Sequence, residues 1–108
     1  MLGSLIRITI DRPLGSTHPN HADIVYPINY GYIEGVIGGD GEELDVYLLG
    51  IDESVQEYTA QVIGIIHRIN DVENKLVAAP KGMTFTVEQI KEAIAFQEKY
   101  FDSYIEVL

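Results

Sequence analysis

The longest β-strand that the sequence predicts is EYTAQVIGIIHR, residues 57–68. Valine and isoleucine are frequent in its second half, and β-branched side chains favour an extended backbone. A mainly polar segment, NDVEN, follows at 70–74, and the mainly apolar stretch KLVAA, residues 75–79, then resumes the extended pattern. Because Asn and Asp favour turns, the sequence predicts a β-hairpin over residues 57–79.

Further short strands are predicted on the N-terminal side of this hairpin. Apolar and polar residues alternate over 5–10, and residues 24–27 and 30–37 have an extended pattern. Another strand is predicted over 44–49, and residues 17–23 are expected to form a polar loop. Glycine and proline between these segments mark turns.

The periodicity changes after the hairpin. Thr86 followed by Gln89 fits a capping box, and apolar residues at helical spacing predict a helix from Val87 to about Phe101. Many short strands and one late helix indicate a mainly β (α+β) protein. Since open strand edges are costly in a small core, we expect a small antiparallel sheet closed into a barrel, with one C-terminal helix, in a single domain over residues 1–108.

Composition and charge exclude several functional classes. Seventeen acidic residues against seven basic ones give a formal net charge of −10, so binding to nucleic acid or to an anionic membrane is not expected. Cysteine is absent, which excludes disulfides and thiolate metal sites. The first residues show no signal peptide, and no apolar run approaches the ~18 residues of a membrane-spanning helix, so a cytoplasmic location is expected.

Three carboxylates lie close together in the loop DGEELD, residues 40–45: those of Asp40, Glu42 and Asp45. Crowded carboxylates repel one another unless a cation or a proton compensates, and hard cations such as Mg²⁺ prefer oxygen ligands. The loop therefore predicts a metal site. The alternative is a solvated acidic hairpin loop that binds nothing.

A second acidic pair, Asp71 and Glu73, lies in the hairpin turn directly before Lys75. By itself such a pair is ordinary for a turn. If the barrel brings it beside the 40–45 loop, the two clusters predict a site for two or more metal ions, which can hold both ends of a phosphoryl transfer. Lys75 would then face the phosphate.

The remaining polar groups allow two interpretations each. The tyrosines of YPINYGY, residues 26–32, could donate to phosphate oxygens, although packing at the core boundary is the commoner role. His18 and His21 have an HxxH spacing, but a loop offers no helical face to hold them on one metal, so a surface role is favoured. His67 and Arg68 lie at the end of the long strand. They could contact phosphate, or they could simply mark the end of the strand.

Three segments resemble the signatures of one family, the soluble (family I) inorganic pyrophosphatases. YPINYGYI, residues 26–33, resembles the YPxNYGYI signature, and DGEELDV, residues 40–46, resembles DGDPxDV. KLVAAP, residues 75–80, is similar to the family's KLVAVP segment. Because the order and spacing of linked motifs agree over roughly residues 5 to 101, the chain is identified as a short, divergent member of that family.

The resemblance implies a fold and an activity. The fold is an OB-like five-stranded barrel with a helix packed against it. The activity is hydrolysis of diphosphate to two phosphates by a water molecule that several Mg²⁺ ions activate, with Mn²⁺ as an alternative metal. The expected partner is diphosphate or another small phosphoanhydride, and bacterial relatives imply a homo-oligomer.

The resemblance also implies roles for individual residues. The metal ligands it implies are Asp40, Asp45, Asp71 and Glu73. Glu42 stands where the family has the Asp that helps to deprotonate the attacking water, so the implied catalytic groups are Glu42, Asp45 and Lys75. The implied substrate-binding groups are Tyr26, Tyr30, Lys75 and Tyr100, and Arg12 joins them as one of the remaining basic groups near the motifs.

The chain departs from the family pattern at several positions. The Lys and Glu of the family's early KYE-type segment and the Arg of its next strand have no counterpart in the residues before Tyr26. Thr9 stands at about the place of an early metal-associated Glu, and Phe101 stands where the family has a Lys after the late tyrosine. Each charge-assisted contact to phosphate is worth about 1.5–3 kcal/mol, so lost cations would weaken binding unless Arg12, His18 or Arg68 replaces them. Glu42 in place of Asp moves a carboxylate by about a bond length.

Two other functions compete with hydrolysis. A catalytically weakened homologue could bind a phosphorylated metabolite as a sensor or interaction module. A purely structural domain with acidic turns would bind neither metal nor phosphate.

Overall fold

The computed structural model describes residues 1–69 and 73–108. Within them the chain forms strands β1 to β8 and helix α1. In chain order these are β1 Leu5–Arg12, β2 Thr17–His18, β3 His21–Val25, β4 Asn29–Ile37, β5 Glu43–Leu48, β6 Glu57–Arg68, β7 Asn74–Ala79, α1 Val87–Glu98 and β8 Ser103–Val107.

Five strands close into a barrel. The hydrogen-bonded order is β1, β4, β5, β7, β6, and β6 pairs with β1 to complete the ring. The predicted mainly β fold, an OB-like five-stranded barrel with one C-terminal helix, is therefore confirmed. One neighbouring pair departs from the antiparallel pattern: β5 and β7 are parallel, with Tyr47 opposite Val77. Parallel neighbours need a crossover connection, and β6 lies within that connection here.

Strands β2, β3 and β8 were not predicted. The segment expected as a polar loop forms the small β2–β3 hairpin, with Thr17 opposite Val25. Strand β8 follows the helix, which ends at Glu98 rather than near Phe101. Both additions depend on partners that a local pattern does not show. The first half of β6 pairs with β1, and its second half, from Gly64 onward, pairs with β8.

Two hydrophobic clusters hold the fold together. The barrel interior is formed by side chains such as Ile8, Val46, Leu48, Val62 and Leu76. The second cluster lies between the barrel and α1 and contains Tyr26, Tyr30, Tyr47, Ile66, Ile90 and Ile94. Alternating residues of β7 serve the two clusters, as expected for a strand with both faces covered.

Helix α1 begins with the predicted capping box. The Thr86 hydroxyl accepts from the Gln89 amide at 3.1 Å, and the Gln89 side chain accepts from the Thr86 amide at 2.8 Å. The apolar face of the helix packs on the barrel, and this packing buries Gln97 and Glu98 in its last turn. The helix of the described chain is not long and apolar enough to cross a membrane.

Candidate active site

An open cleft of about 560 Å³ collects side chains from the barrel, from the β2–β3 hairpin and from the residues after α1. Most of the predicted site residues line it together: Arg12, Tyr30, Asp40, Glu42, Asp45, Glu73, Lys75 and Tyr100. Asp71, predicted as a metal ligand, lies outside the described residues. Tyr26 lies behind the cleft wall and is fully buried.

Lys75 joins the two acidic turns. Its ammonium donates to Asp45 Oδ2 at 2.7 Å, to Glu73 Oε1 at 2.7 Å and to the Tyr30 hydroxyl at 2.6 Å. Only 3% of Lys75 is exposed, so its three donors and their three acceptors are matched in a largely dry setting. The structure thus brings together the two carboxylate clusters that the sequence places 28 residues apart, from Asp45 to Glu73.

Burial affects the proton affinity of the groups around Lys75. Burial raises the pKa of the Glu73 carboxyl, and the hydrogen bond from Lys75 opposes that rise. Burial also raises the pKa of the Tyr30 phenol well above its usual value, and the negative charge of Asp45 adds to the effect. Tyr30 therefore stays protonated at neutral pH and can act as a donor.

The 40–45 loop presents exposed carboxylates to the cleft. Asp40 Oδ1 accepts from the Glu42 amide at 3.0 Å, and Gly41 adopts a positive φ of 82° that closes the turn. Within residues 1–69 and 73–108, no three imidazole or carboxylate side chains converge closely enough to hold a metal ion. The donor chemistry nevertheless suits a hard cation, because the carboxylates of Asp45 and Glu73 already meet on one positive charge.

Arg12 lies on the cleft at the end of β1. Its Nη1 donates to the Tyr26 hydroxyl at 2.7 Å, and its guanidinium lies 5.7 Å from the centroid of the Tyr30 ring. Tyr26, which the sequence placed near the substrate, thus contacts Arg12 through its hydroxyl while its ring packs in the core. The Tyr26 hydroxyl also donates to Gln97 Oε1 at 2.8 Å, so the packing interpretation describes its ring and a bond to phosphate stays a prediction.

Arg68 lies on the cleft at the end of β6. It forms a fork with Glu98, with Nη2 at 2.7 Å from Oε2 and Nε at 3.1 Å from Oε1, and its Nη1 lies 3.3 Å from Glu73 Oε2. Its guanidinium also lies 3.6 Å from the centroid of the Phe101 ring. Phe101 is the residue at which the resemblance implies a Lys in the family, and the neighbouring cation here is Arg68 of β6.

The β2–β3 hairpin carries His18 and His21 to the cleft, where their ring centroids are 5.0 Å apart. Partial desolvation lowers the pKa of His18, and Arg12 and His21 lower it further. The Asn20 amide donates to His18 Nδ1 at 3.0 Å, which also favours the neutral ring. At pH 7 His18 therefore adds no charge, and of the three replacements considered from the sequence only Arg12 and Arg68 are cations there.

Two residues of the site, Gln97 and Glu98, were missed from the sequence. Gln97 accepts from the Tyr26 hydroxyl and donates to the Tyr47 hydroxyl, and Glu98 binds Arg68. A signal for Gln97 was present, because this polar residue continues the apolar face of Ile90 and Ile94. Glu98 gives no comparable signal, since a Glu near a helix end is usually solvated.

Comparison with solved structures supports the fold. The inorganic pyrophosphatase from Ehrlichia chaffeensis is 19% identical with a TM-score of 0.73, over 99% of this chain and 88% of that one. The enzyme from Neisseria gonorrhoeae is 23% identical with a TM-score of 0.65, over 91% and 74%. The enzyme from Coxiella burnetii is 17% identical with a TM-score of 0.67, over 99% and 85%.

Comparison of sequences establishes the family. A search among curated proteins found no similar sequence. The family model described as inorganic pyrophosphatase matches residues 7–106, which is nearly the whole chain. The chain therefore belongs to the inorganic pyrophosphatase family.

Proposed function

We propose that this protein hydrolyses diphosphate to two phosphates in a Mg²⁺-dependent reaction within the cleft. The observation that carries the proposal is the meeting of Asp45 and Glu73 on Lys75, beside Arg12 and Arg68, in a chain of this family. Carboxylates for a metal and cations for phosphate line one open cleft.

The charge distribution suits an anionic substrate despite the acidic surface. Three of the seven Lys and Arg residues line the cleft: Arg12, Arg68 and Lys75. Guanidinium groups match the geometry of phosphate oxygens and can bind them in a bidentate manner. We propose that Arg12 and Arg68 bind the phosphates that the family's absent cations would otherwise bind.

The remaining groups have complementary roles in this proposal. The protonated Tyr30 donates to a phosphate oxygen, and the exposed Glu42 carboxylate orients the attacking water and accepts its proton. The three donors of Lys75 bind Tyr30, Asp45 and Glu73, and they would become available to phosphate oxygens when these carboxylates bind a metal instead. Asp40, Asp45 and Glu73, together with Asp71, would hold Mg²⁺. When bound, Mg²⁺ would neutralise developing negative charge and lower the pKa of water.

A second candidate function is binding of a phosphorylated metabolite without turnover. It is favoured by the ammonium of Lys75, which already neutralises both Asp45 and Glu73 and so reduces their need for a metal cation. In that case the arginines would bind phosphate while the carboxylates had a structural role.

Phosphate release from diphosphate with Mg²⁺, and separately with Mn²⁺, tests the proposal. The wild type should release phosphate, and Asp45→Asn should reduce kcat by on the order of 100-fold because it removes a cation-binding carboxylate. Asp52→Asn is the matched control, since Asp52 is exposed and does not line the cleft. Intact diphosphate with both metals, together with measurable diphosphate binding, would favour the second candidate.

A further inference from the structure

A chain of hydrogen bonds runs behind the cleft from Arg12 to the last turn of α1. Arg12 Nη1 donates to the Tyr26 hydroxyl at 2.7 Å, which donates to Gln97 Oε1 at 2.8 Å. Gln97 Nε2 then donates to the Tyr47 hydroxyl at 2.8 Å, and Tyr47 donates to Glu98 Oε2 at 2.5 Å. Every link involves at least one buried residue.

The direction of this chain follows from its two ends. A guanidinium can only donate and a carboxylate can only accept. Tyr26 must therefore give its own proton to Gln97, and Tyr47 must give its proton to Glu98. The Gln97 amide consequently has one orientation, with its carbonyl toward Tyr26 and its NH₂ group toward Tyr47. Because the chain is buried and aligned, its bonds strengthen one another.

The same helix turn also holds the second arginine of the cleft. Glu98 binds Arg68 through two parallel hydrogen bonds, and their side chains are almost fully buried. Arg68 extends from there to Glu73. One helical turn therefore anchors Arg12 through Gln97 and Arg68 through Glu98, although the two arginines belong to different strands.

We propose that Gln97 and Glu98 are positioning residues that hold Arg12 and Arg68 for the phosphates of the substrate. The inference rests on the proposed function. Gln97 reaches the cleft wall, but both ends of its amide are engaged by tyrosines. Its effect on substrate binding should therefore pass through Arg12, and that of Glu98 should pass through Arg68.

A double-mutant cycle on Arg12 and Gln97 tests the first half. The measured quantities are the Kd of the non-hydrolysable analogue imidodiphosphate with Mg²⁺, and the KM and kcat for diphosphate. Arg12→Met should weaken analogue binding about tenfold to 100-fold, as expected for loss of a charge-assisted contact. Gln97→Met should weaken it about threefold to tenfold, and the double variant should be no weaker than Arg12→Met by more than about twofold.

The control is Gln61→Met. Gln61 is a half-buried residue whose amide donates to Gly3 O and takes no part in the hydrogen bonds between Arg12 and Glu98. It should leave analogue binding within about twofold of the wild type. Additive losses in the Arg12 and Gln97 cycle would overturn the inference, because a merely structural role of Gln97 would weaken binding equally with or without Arg12.

A second cycle pairs Arg68→Met with Glu98→Gln and follows the same logic. Introduced into the wild type, Glu98→Gln should weaken analogue binding. Introduced into the Arg68→Met variant, it should cause no further loss. If Glu98→Gln does not fold, the Arg12 and Gln97 cycle still decides the inference.

Failure of the inference and failure of the proposed function give different results. Additive cycles with intact turnover overturn only the positioning roles. Non-additive analogue binding without phosphate release overturns only the hydrolytic function. A wild type that neither binds imidodiphosphate nor releases phosphate overturns both.

Discussion

Lys75 is the side chain through which the two acidic turns become one site. A buried ammonium between two carboxylates removes their mutual repulsion, and its third donor binds Tyr30. The Lys75 ammonium lies between Asp45 and Glu73, where a bound metal cation would also be favourable. Lys75 and a metal ion would therefore compete for, or share, the negative charge of these two carboxylates.

We expect Lys75→Met to lower the free energy of unfolding by about 3 kcal/mol or more, because it leaves two neighbouring carboxylates without their shared partner. Mg²⁺ should restore more stability to this variant than to the wild type, since a ligand that selects the folded state stabilises it. Urea unfolding with and without Mg²⁺ measures both effects. Lys81→Met, at an exposed position away from the cleft, is the control. Equal Mg²⁺ effects in Lys75→Met and in the wild type would contradict this view of the carboxylates.

His18 predicts a pH dependence of stability. Its pKa is lowered in the folded protein by partial desolvation and by Arg12 and His21, so the unfolded chain takes up the proton first as the pH falls. Stability from this residue is complete above its unfolded pKa of about 6.5 and is lost as the pH falls through the lower folded pKa.

As the pH falls from about 8 to about 5, the wild type should lose this stability and His18→Gln should not. The melting temperature of His18→Gln should therefore rise relative to that of the wild type over this fall in pH. Thermal unfolding across this range measures the difference. His67→Gln is a suitable comparison, because His67 bonds Glu106 and does not line the cleft. A constant difference between wild type and His18→Gln at all pH values would show that the hairpin does not disfavour the charged ring.

Single residues of the site could be predicted from the sequence where they belong to motifs. Asp40, Asp45 and Lys75 stand in segments whose order and spacing resemble the family. Gln97 gave a signal only as a polar residue on the apolar face of the helix, and Glu98 gave none. The contacts of both could not be predicted, because their partners Tyr26, Tyr47 and Arg68 become neighbours only when α1 packs on the barrel. The roles of the motif residues as ligands and catalytic groups remain predictions.

Among the secondary structure elements, the contact between β1 and β4 positions Arg12. The register shifts between Ile10 and Arg12, opposite Gly31 and Tyr30. Such an irregularity redirects the following side chain. A Cβ atom on Gly31 would lie 1.9 Å from Thr9 O, so the close approach of the two strands requires glycine.

We expect Gly31→Ala to destabilise the protein by about 3 kcal/mol, because backbone rather than a flexible side chain would have to move. It should also weaken imidodiphosphate binding, since the shift displaces Arg12. Gly64→Ala is the matched control in another strand: its added Cβ would have no neighbour closer than 3.5 Å. Urea unfolding of the two variants decides the point, and equal stabilities would be incompatible with the observed strand contact.

The elements that carry their own periodicity were predicted most accurately. Strand β6 runs over the predicted residues 57–68, and the capping box begins α1 at the expected place. Strands β2, β3 and β8 were missed because they are short and are stabilised by pairing, with each other or with the second half of β6. These strands form because of tertiary contacts, and their sequences have no local pattern as strong as that of β6 or α1.

For the molecule as a whole, charge and surface suggest how it associates. The net charge of −10 disfavours anionic macromolecules as partners, while the cleft retains three of the seven basic residues. Several large apolar side chains are exposed, among them Leu5, Val25, Ile37 and Ile69. Scattered exposed apolar residues are normal, so the expectation of self-association rests on the resemblance described from the sequence and needs a direct test.

We expect a homo-oligomer, with a mass in solution that is a multiple of 12.1 kDa. Sedimentation equilibrium measures this mass directly. If the exposed apolar residues form the contact between subunits, replacement of one by a charged residue, for example Ile37→Asp or Ile69→Asp, should lower this mass. A monomer at all concentrations would contradict the expectation without affecting the proposed chemistry.

The most direct measurement is a crystal structure of the protein with imidodiphosphate and Mg²⁺. We predict that the analogue lies in the cleft with its phosphate oxygens on Arg12, Arg68 and Lys75, and that Mg²⁺ binds Asp45. An analogue bound elsewhere, or a cleft without analogue in a protein that turns over diphosphate in solution, would contradict the assignment of this cleft as the active site.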